Sequence, residues 1–193
     1  MKSDDNPTND ERARVLGRRT LATGSFLELT AEDVELPGGS VTTLELLRHP
    51  GASAVVPVTA EGEVVLVRQY RHAVAEQVGD GWLLEVPAGK LDPGESPEHC
   101  ARREVAEEVG YEVGELVSLG AMFSSPGFTD ERIHLFLGRS LSPCAQSLDE
   151  DEVLRVERLP FGEAVARAAD GRIEDAKTIC ALLRAAPLVK AGS

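Results

Sequence analysis

The sequence predicts an α+β domain in which a mixed β-sheet lies between helices, preceded by an N-terminal β element. Three observations predict it. Valine-rich runs bounded by turn residues recur through the middle of the chain, at 52–59 and 64–70. Three segments carry helix start and stop signals. Strand-like and helix-like segments also mix without the regular βα alternation of a doubly wound sheet.

In chain order, residues 1–12 are polar and read as a disordered tail. Residues 26–29 and 41–47 read as short strands around the turn Pro37-Gly38-Gly39. The runs 52–59 and 64–70 flank Glu61-Gly62, a hairpin pattern, and 82–86 is a further strand stopped by Pro87. Ser96 is a good N-cap with Pro97 at the first helical position, and Gly110 stands where a C-terminal glycine belongs, which makes Pro97–Val109 a helix. Residues 116–123, 133–137 and 153–159 are the remaining strands. Phe161–Ala169 is a helix stopped by Asp170-Gly171. Residues 175–186 form the last helix, stopped by Pro187, with Ile179, Leu182 and Leu183 on one face. The expected organisation is a tail at 1–12, an N-terminal β element at 13–48 suited to dimerisation, a main domain at 49–187 and a tail at 188–193.

At 193 residues the chain has the length of one domain with a real core, and its 42% hydrophobic and 27% charged content is ordinary for a globular protein. The net charge of −13 argues against binding a nucleic-acid backbone, which needs Lys and Arg to neutralise phosphates. It leaves room for a small phosphorylated ligand where a metal supplies local positive charge. Cys100, Cys144 and Cys180 have no zinc spacing and read as reduced thiols. The charged N-terminus has no signal-peptide core, and no apolar run reaches the ~20 residues of a membrane helix, so the expectation is a cytoplasmic protein with no membrane partner. His49, His72, His99 and His134 show no metal-ligand spacing and read as structural or surface residues.

The most informative segment is GKLDPGESPEHCARREVAEEVGY, from Gly89 to Tyr111. On the expected helix, Glu104 lies three residues from Glu107 and four from Glu108, spacings that share a face. Like charges so placed cost only about 0.2–0.5 kcal/mol per pair, so repulsion by itself does not require a metal. Carboxylate oxygens are nevertheless what Mg²⁺ or Mn²⁺ binds. Arg103 can reach Glu107 one turn on, and the Gly89–Gly94 loop can bring the Ala88 or Gly89 carbonyl to the same point.

Gly89, five residues, Glu95, seven residues, then Arg103-Glu104-Val105-Ala106-Glu107-Glu108-Val109-Gly110-Tyr111 resembles the Nudix box at every fixed position. With each residue type under ~10% of usage, seven such matches coincide less than about once in 10⁷ windows. The resemblance implies the Nudix fold, an α/β/α sandwich over the main domain, and hydrolysis of a nucleoside diphosphate linked to another group. It implies Glu104, Glu107, Glu108 and the Ala88 carbonyl as ligands of Mg²⁺, with Mn²⁺ as the alternative. Glu95 and Arg103 would orient the loop and helix.

Outside the box, Ser124-Ser125-Pro126-Gly127-Phe128-Thr129-Asp130-Glu131 is by itself ordinary turn chemistry. Pro126, however, lies sixteen residues after Gly110, and with the 67–71 and 82–89 segments this string resembles the ADP-ribose pyrophosphatase subfamily. That resemblance places Pro126, Gly127 and Phe128 at the substrate, although Phe128 fits loop packing equally naturally. Arg71 could clamp a phosphate bidentately or form a surface ion pair. Glu85 could accept from adenine or ribose, or be a strand-edge charge. The run Asp149-Glu150-Asp151-Glu152 is a solvated loop by composition. The resemblance makes Glu150 the catalytic base, with Glu152 as a second metal ligand or the alternative base. The expected reaction is metal-dependent hydrolysis of ADP-ribose to AMP and ribose 5-phosphate by a homodimer. Other nucleoside diphosphate sugars are the alternative substrates, and a non-catalytic ADP-ribose sensor is the alternative class.

Overall fold

A computed structural model describes residues 12–148 and 152–189. These form two compact units. One holds residues 12–50 with Ser125–Glu131, and the other holds Gly51–Ser124 and the described residues from Arg132 on.

The first unit is a three-stranded antiparallel sheet of β1 (Arg14–Thr23), β2 (Glu28–Glu35) and β3 (Val41–Arg48), with β2 in the centre. The Pro37-Gly38-Gly39 turn joins β2 to β3 as expected, and Gly38 and Gly39 take φ of 92° and 86°, which glycine alone adopts without penalty. The centre of β2 is buried at Thr30, Ala31, Glu32 and Val34, and the buried Glu32 carboxylate is held by Arg18 at 2.6 Å and by Arg48. The expected strand at 26–29 is displaced to β2, and β1 was not expected. Its residues are nearly all exposed, so RVLGRRTLAT has no alternation to read. The Ser125–Glu131 loop is bonded to β3: Leu47 N–H donates to Phe128 O at 2.7 Å, and Arg48 pairs with Asp130 at 3.0 Å.

The second unit contains a mixed sheet, ordered β7-β4-β9-β8, and an antiparallel sheet, ordered β10-β5-β6. Their strands are β4 (Ala52–Pro57), β5 (Glu63–Tyr70), β6 (Trp82–Glu85), β7 (Ala88–Lys90), β8 (Tyr111–Phe123), β9 (Arg132–Pro143) and β10 (Leu154–Pro160). The helices are α1 (Ala75–Val78), which follows a single 3-10 turn, α2 (Pro97–Val109), α3 (Phe161–Ala169) and α4 (Ala176–Ala185).

Side chains alternate across a strand, and the central strands use both faces. Ala54 and Val56 of β4, Val64 and Leu66 of β5, and Leu135 and Leu137 of β9 pack in one core with α3 and α4. Val55, Val65, Val67 and Phe136 face the other way, onto Ala101, Val105 and Val109 of α2. This gives the three layers α2, strands, then α3 with α4. Fully burying each of these valine, leucine and phenylalanine side chains stabilises the fold by about 1.5–3 kcal/mol relative to exposure.

The expected β4–β5 hairpin is corrected. Thr59 and Glu63 close the turn at 2.9 Å and Val58 bridges Val64, but the two strands then enter different sheets. Each finds better edges elsewhere: β4 runs parallel to β9, while β5 lies between β10 and β6. The expected loop after Ala88 begins as the short strand β7, and the 133–137 strand extends over the whole of β9. Among the described residues no helix is long and apolar enough to cross a membrane.

Candidate active site

The candidate site is built where β7 meets the buried face of α2. Ser96 caps α2 by accepting the His99 N–H at 3.2 Å, Pro97 starts the helix, and Gly110 ends it at φ 71°. The buried stripe of α2 comprises Cys100, Ala101, Glu104, Val105, Glu108 and Val109. Two carboxylates, one turn apart, therefore stand on the side of the helix that faces protein. They are not on its solvated side.

The loop into α2 turns at Asp92-Pro93-Gly94-Glu95. Glu95 N–H returns to Asp92 O at 2.9 Å and Gly94 has φ 81°, as a type II turn requires. Glu95 then closes the loop on the helix. Its oxygens accept from Arg103 at 3.0 and 2.9 Å and from the Asp92 N–H at 3.1 Å. The Arg103 bonds, above all, hold its carboxyl down at about 2, well below the usual carboxylate range.

Arg103 also donates to Glu104 at 2.6 Å, to Glu107 at 3.0 Å and to Lys90 O at 3.2 Å. One guanidinium thus holds three of the glutamates and the end of β7 together. Glu107 is the most exposed of these glutamates, at 39%. Cys100, its thiol pushed up to about 12 mainly by burial, donates to the Gly89 and Lys90 carbonyls at 3.5 Å.

The strained part of the site is Glu104 with Glu108. Burial raises the Glu104 carboxyl to about 7, against the pull of Arg103 and with Glu107 and Glu152 adding to the rise. Glu108 is 1% exposed. Burial pushes its carboxyl well above the ordinary range, and Glu104 and Glu152 reinforce that. Its Oε2 accepts the Ala88 N–H at 3.2 Å, while its Oε1 is buried with no hydrogen-bond partner. Gly89 leaves the space for Glu104: a Cβ there would lie 1.8 Å from Oε1.

Among the described residues no three His, Cys, Asp or Glu side chains converge as an ion cage, because Arg103 holds Glu104 and Glu107. The donor chemistry nevertheless suits a hard divalent cation. A buried carboxylate oxygen lacks a partner beside a second carboxylate, and one helix carries both. Glu104, Glu107, Glu108 and the Ala88 carbonyl remain the groups expected from the sequence to hold a divalent cation.

Arg71, just after β5, forks onto Glu85 of β6 at 2.9 and 2.8 Å. Glu85 also accepts from Lys177. Burial pushes the Glu85 carboxyl up, but Arg71 and Lys177 outweigh it and leave it below its usual value. The charges of Arg71 and Glu108 act on one another, as do those of Glu152 with Glu104 and Glu108. Arg71 and Glu152 therefore lie within electrostatic reach of the α2 carboxylates. Pro126, Gly127 and Phe128 lie in the first unit, where their loop is bonded to β3. Glu150 is outside the described residues.

Sequence reasoning missed Lys177 and Asp175. Asp175 caps α4, accepting the Thr178 N–H at 2.9 Å, and Lys177 falls in the first turn. A cation there opposes the helix dipole, which was a readable sign that Lys177 has an anionic partner.

The NUDIX domain family matches residues 47–182. An ADP-ribose pyrophosphatase from Bacillus subtilis (strain 168) is 38% identical over 88% of this chain and 90% of its own. A GDP-mannose pyrophosphatase from Yersinia enterocolitica is 42% identical over 70% of this chain and 72% of its own. The crystal structure of an ADP compounds hydrolase superposes with a TM-score of 0.76 at 24% identity, covering 92% of this chain and 94% of the other, and so shares the fold. The matched span contains the whole Gly89–Tyr111 segment together with Arg71 and Glu85, and the chain belongs to the Nudix family.

Proposed function

We propose that the protein hydrolyses the diphosphate bond of ADP-ribose, giving AMP and ribose 5-phosphate, with Mg²⁺ as cofactor and Mn²⁺ as its substitute. The observation that carries the chemistry is the buried Glu108 carboxylate, one oxygen unpartnered, beside Glu104. Glu104, Glu107, Glu108 and the Ala88 carbonyl would hold a divalent cation, which would supply positive charge at the diphosphate and lower the pKa of a bound water. The chain's own residues do the rest. Glu104, Glu107 and Glu108 present the carboxylate face on α2, while Arg103 and Glu95 keep the helix and the β7 loop in register. Arg71 holds a phosphate oxygen of the bound substrate and keeps that contact through the reaction. Glu152 takes the proton from the attacking water, which suits a carboxylate acting electrostatically on both Glu104 and Glu108.

Similarity to the Bacillus subtilis ADP-ribose pyrophosphatase along most of both chains supports ADP-ribose as the substrate. Similarity to the GDP-mannose pyrophosphatase supports a second nucleoside diphosphate sugar. The test is incubation with each compound and Mg²⁺, following AMP and GMP release. AMP from ADP-ribose is the expected product. GDP-mannose turnover without ADP-ribose turnover would reassign the substrate. Tight ADP-ribose binding with no turnover in Mg²⁺ or Mn²⁺ would make the protein a sensor.

The enzyme is further proposed to work as a homodimer through the N-terminal sheet. Val15 and Leu44 are exposed apolar side chains on one face of that sheet, which a second copy would cover. Light scattering is expected to give twice the 20.7 kDa chain mass, and a Val15→Asp/Leu44→Asp variant the single mass. A monomeric wild type at micromolar concentration would remove the dimer.

A further inference from the structure

Glu85 is 1% exposed, and both of its carboxylate oxygens accept from cations. Arg71 reaches Oε1 through Nε and Oε2 through Nη2, and Lys177 Nζ joins at Oε2. The Arg71 fork uses two of five guanidinium donors and leaves Nη1 outside the pair. A carboxylate so occupied has little left to offer a substrate hydroxyl or base, but it is well placed to aim Arg71.

Lys177 is fixed in its turn. It is 13% exposed, and besides Glu85 it meets Asp175 Oδ1 at 3.0 Å. Asp175 uses its other oxygen on the α4 cap, accepting the Thr178 N–H at 2.9 Å and the Thr178 hydroxyl at 2.6 Å. The Thr178 Oγ1 accepts the Val86 N–H at 2.8 Å. The first turn of α4 therefore grips β6 twice, at the Glu85 side chain and at the backbone one residue later. Two residues beyond Val86 lies Ala88, whose N–H reaches Glu108.

We propose that Lys177 is a positioning residue for phosphate recognition: with Asp175 it fixes Glu85, and Glu85 aims Arg71 at the substrate. This rests on the reading of Arg71 as the phosphate-holding cation. It assigns Glu85 to orientation, and its reach spans 92 residues of sequence from α4 back to β6. Without Lys177 the buried carboxylate keeps Arg71 as its one remaining cation and draws the guanidinium in, away from the ligand.

The test is a double-mutant cycle in steady-state kinetics with ADP-ribose and Mg²⁺ on the full chain. Lys177→Met is expected to raise KM about tenfold with kcat changed less than about threefold, because ground-state phosphate contact is what is lost. In a Glu85→Gln background the same substitution should change KM less than about twofold, since no buried charge remains to compete for Arg71. Lys177→Arg should restore KM to within about threefold of the wild type. An equal KM rise in both backgrounds would overturn the proposal and place Lys177 on the substrate itself. Should Lys177→Met fail to fold, Asp175→Asn, which keeps a capping oxygen, is carried through the same cycle: a KM rise only where Glu85 is present supports the proposal, and an equal rise in both backgrounds overturns it. Failure of the wild type to turn over ADP-ribose would instead sink the substrate reading, and the cycle would then be run with GDP-mannose.

Discussion

Glu108→Gln raises the melting temperature of the metal-free protein while removing most of its turnover. Both effects have one cause. The wild-type carboxylate is buried, has an oxygen with no hydrogen-bond partner, and faces the charges of Glu104 and Glu152. An unpartnered buried polar group costs about 1–3 kcal/mol, and more when charged. The amide is the same size, keeps an oxygen for the Ala88 N–H and turns two donors toward carboxylates. A gain of about 1–2 kcal/mol corresponds to roughly 3–6 °C in a chain of this size.

The gain depends on pH with a definite sign. The folded-state pKa of Glu108 lies above the ordinary 4.5, so between those values the folded protein binds more protons than the unfolded one. Stability of the metal-free wild type therefore falls as pH rises from about 4.5, and Glu104, at about 7, contributes in the same direction. Melting curves of wild type and variant should nearly coincide near pH 4.5 and separate toward pH 8. Mg²⁺ should stabilise the wild type by binding the folded state, and the variant far less. Turnover should drop at least about a hundredfold, since even groups that merely support metal ligands cost 10–100-fold when changed. A variant as active as the wild type, or less stable than it at pH 8, would remove Glu108 from the proposed role.

The sequence made parts of this arrangement legible because the physics behind them is local. Glu104, Glu107 and Glu108 share a face through helix geometry, and Ser96, Pro97 and Gly110 mark the ends of their helix within one turn. The valine runs at β4 and β5 were readable because both faces of those strands are buried, but that symmetry also concealed which sheet each joins. β1 was invisible because it is exposed along its length. Lys177 and Glu85 are 92 residues apart, and no local pattern connects them. What the sequence did show was a conflict at each end of the pair: a charge at the buried end of the strand Trp82–Glu85 and a cation in the first turn of a helix. Residues that break local rules are where a fold gives up stability for a site.

Gly89→Ala tests that idea with a single methyl group, and is expected to cut turnover about a hundredfold while leaving the protein folded. The added Cβ would lie 1.8 Å from Glu104 Oε1, 2.2 Å from Cδ and 2.6 Å from Oε2. The obstruction is the end of a side chain, so the backbone need not move, and Gly89 does not have the positive φ that would strain an alanine. The Glu104 carboxylate must move by more than an ångström, out of the hold of Arg103 at 2.6 Å. Stability loses that ion pair and regains part of it, because alanine restricts the unfolded chain by about 0.4–1 kcal/mol more than glycine. The melting temperature of the metal-free protein should therefore shift by no more than about 3 °C. A misplacement of ~1 Å can cost about 10² in rate, and the stabilisation by Mg²⁺ should shrink with it. Gly94→Ala makes the contrasting control. Nothing lies within 4 Å of its Cβ, but its φ of 81° penalises any side chain, so the loop should lose stability before the site loses its shape. Near-normal turnover in Gly89→Ala would show that Glu104 can serve from another position, and the close approach of β7 to α2 would then be packing alone.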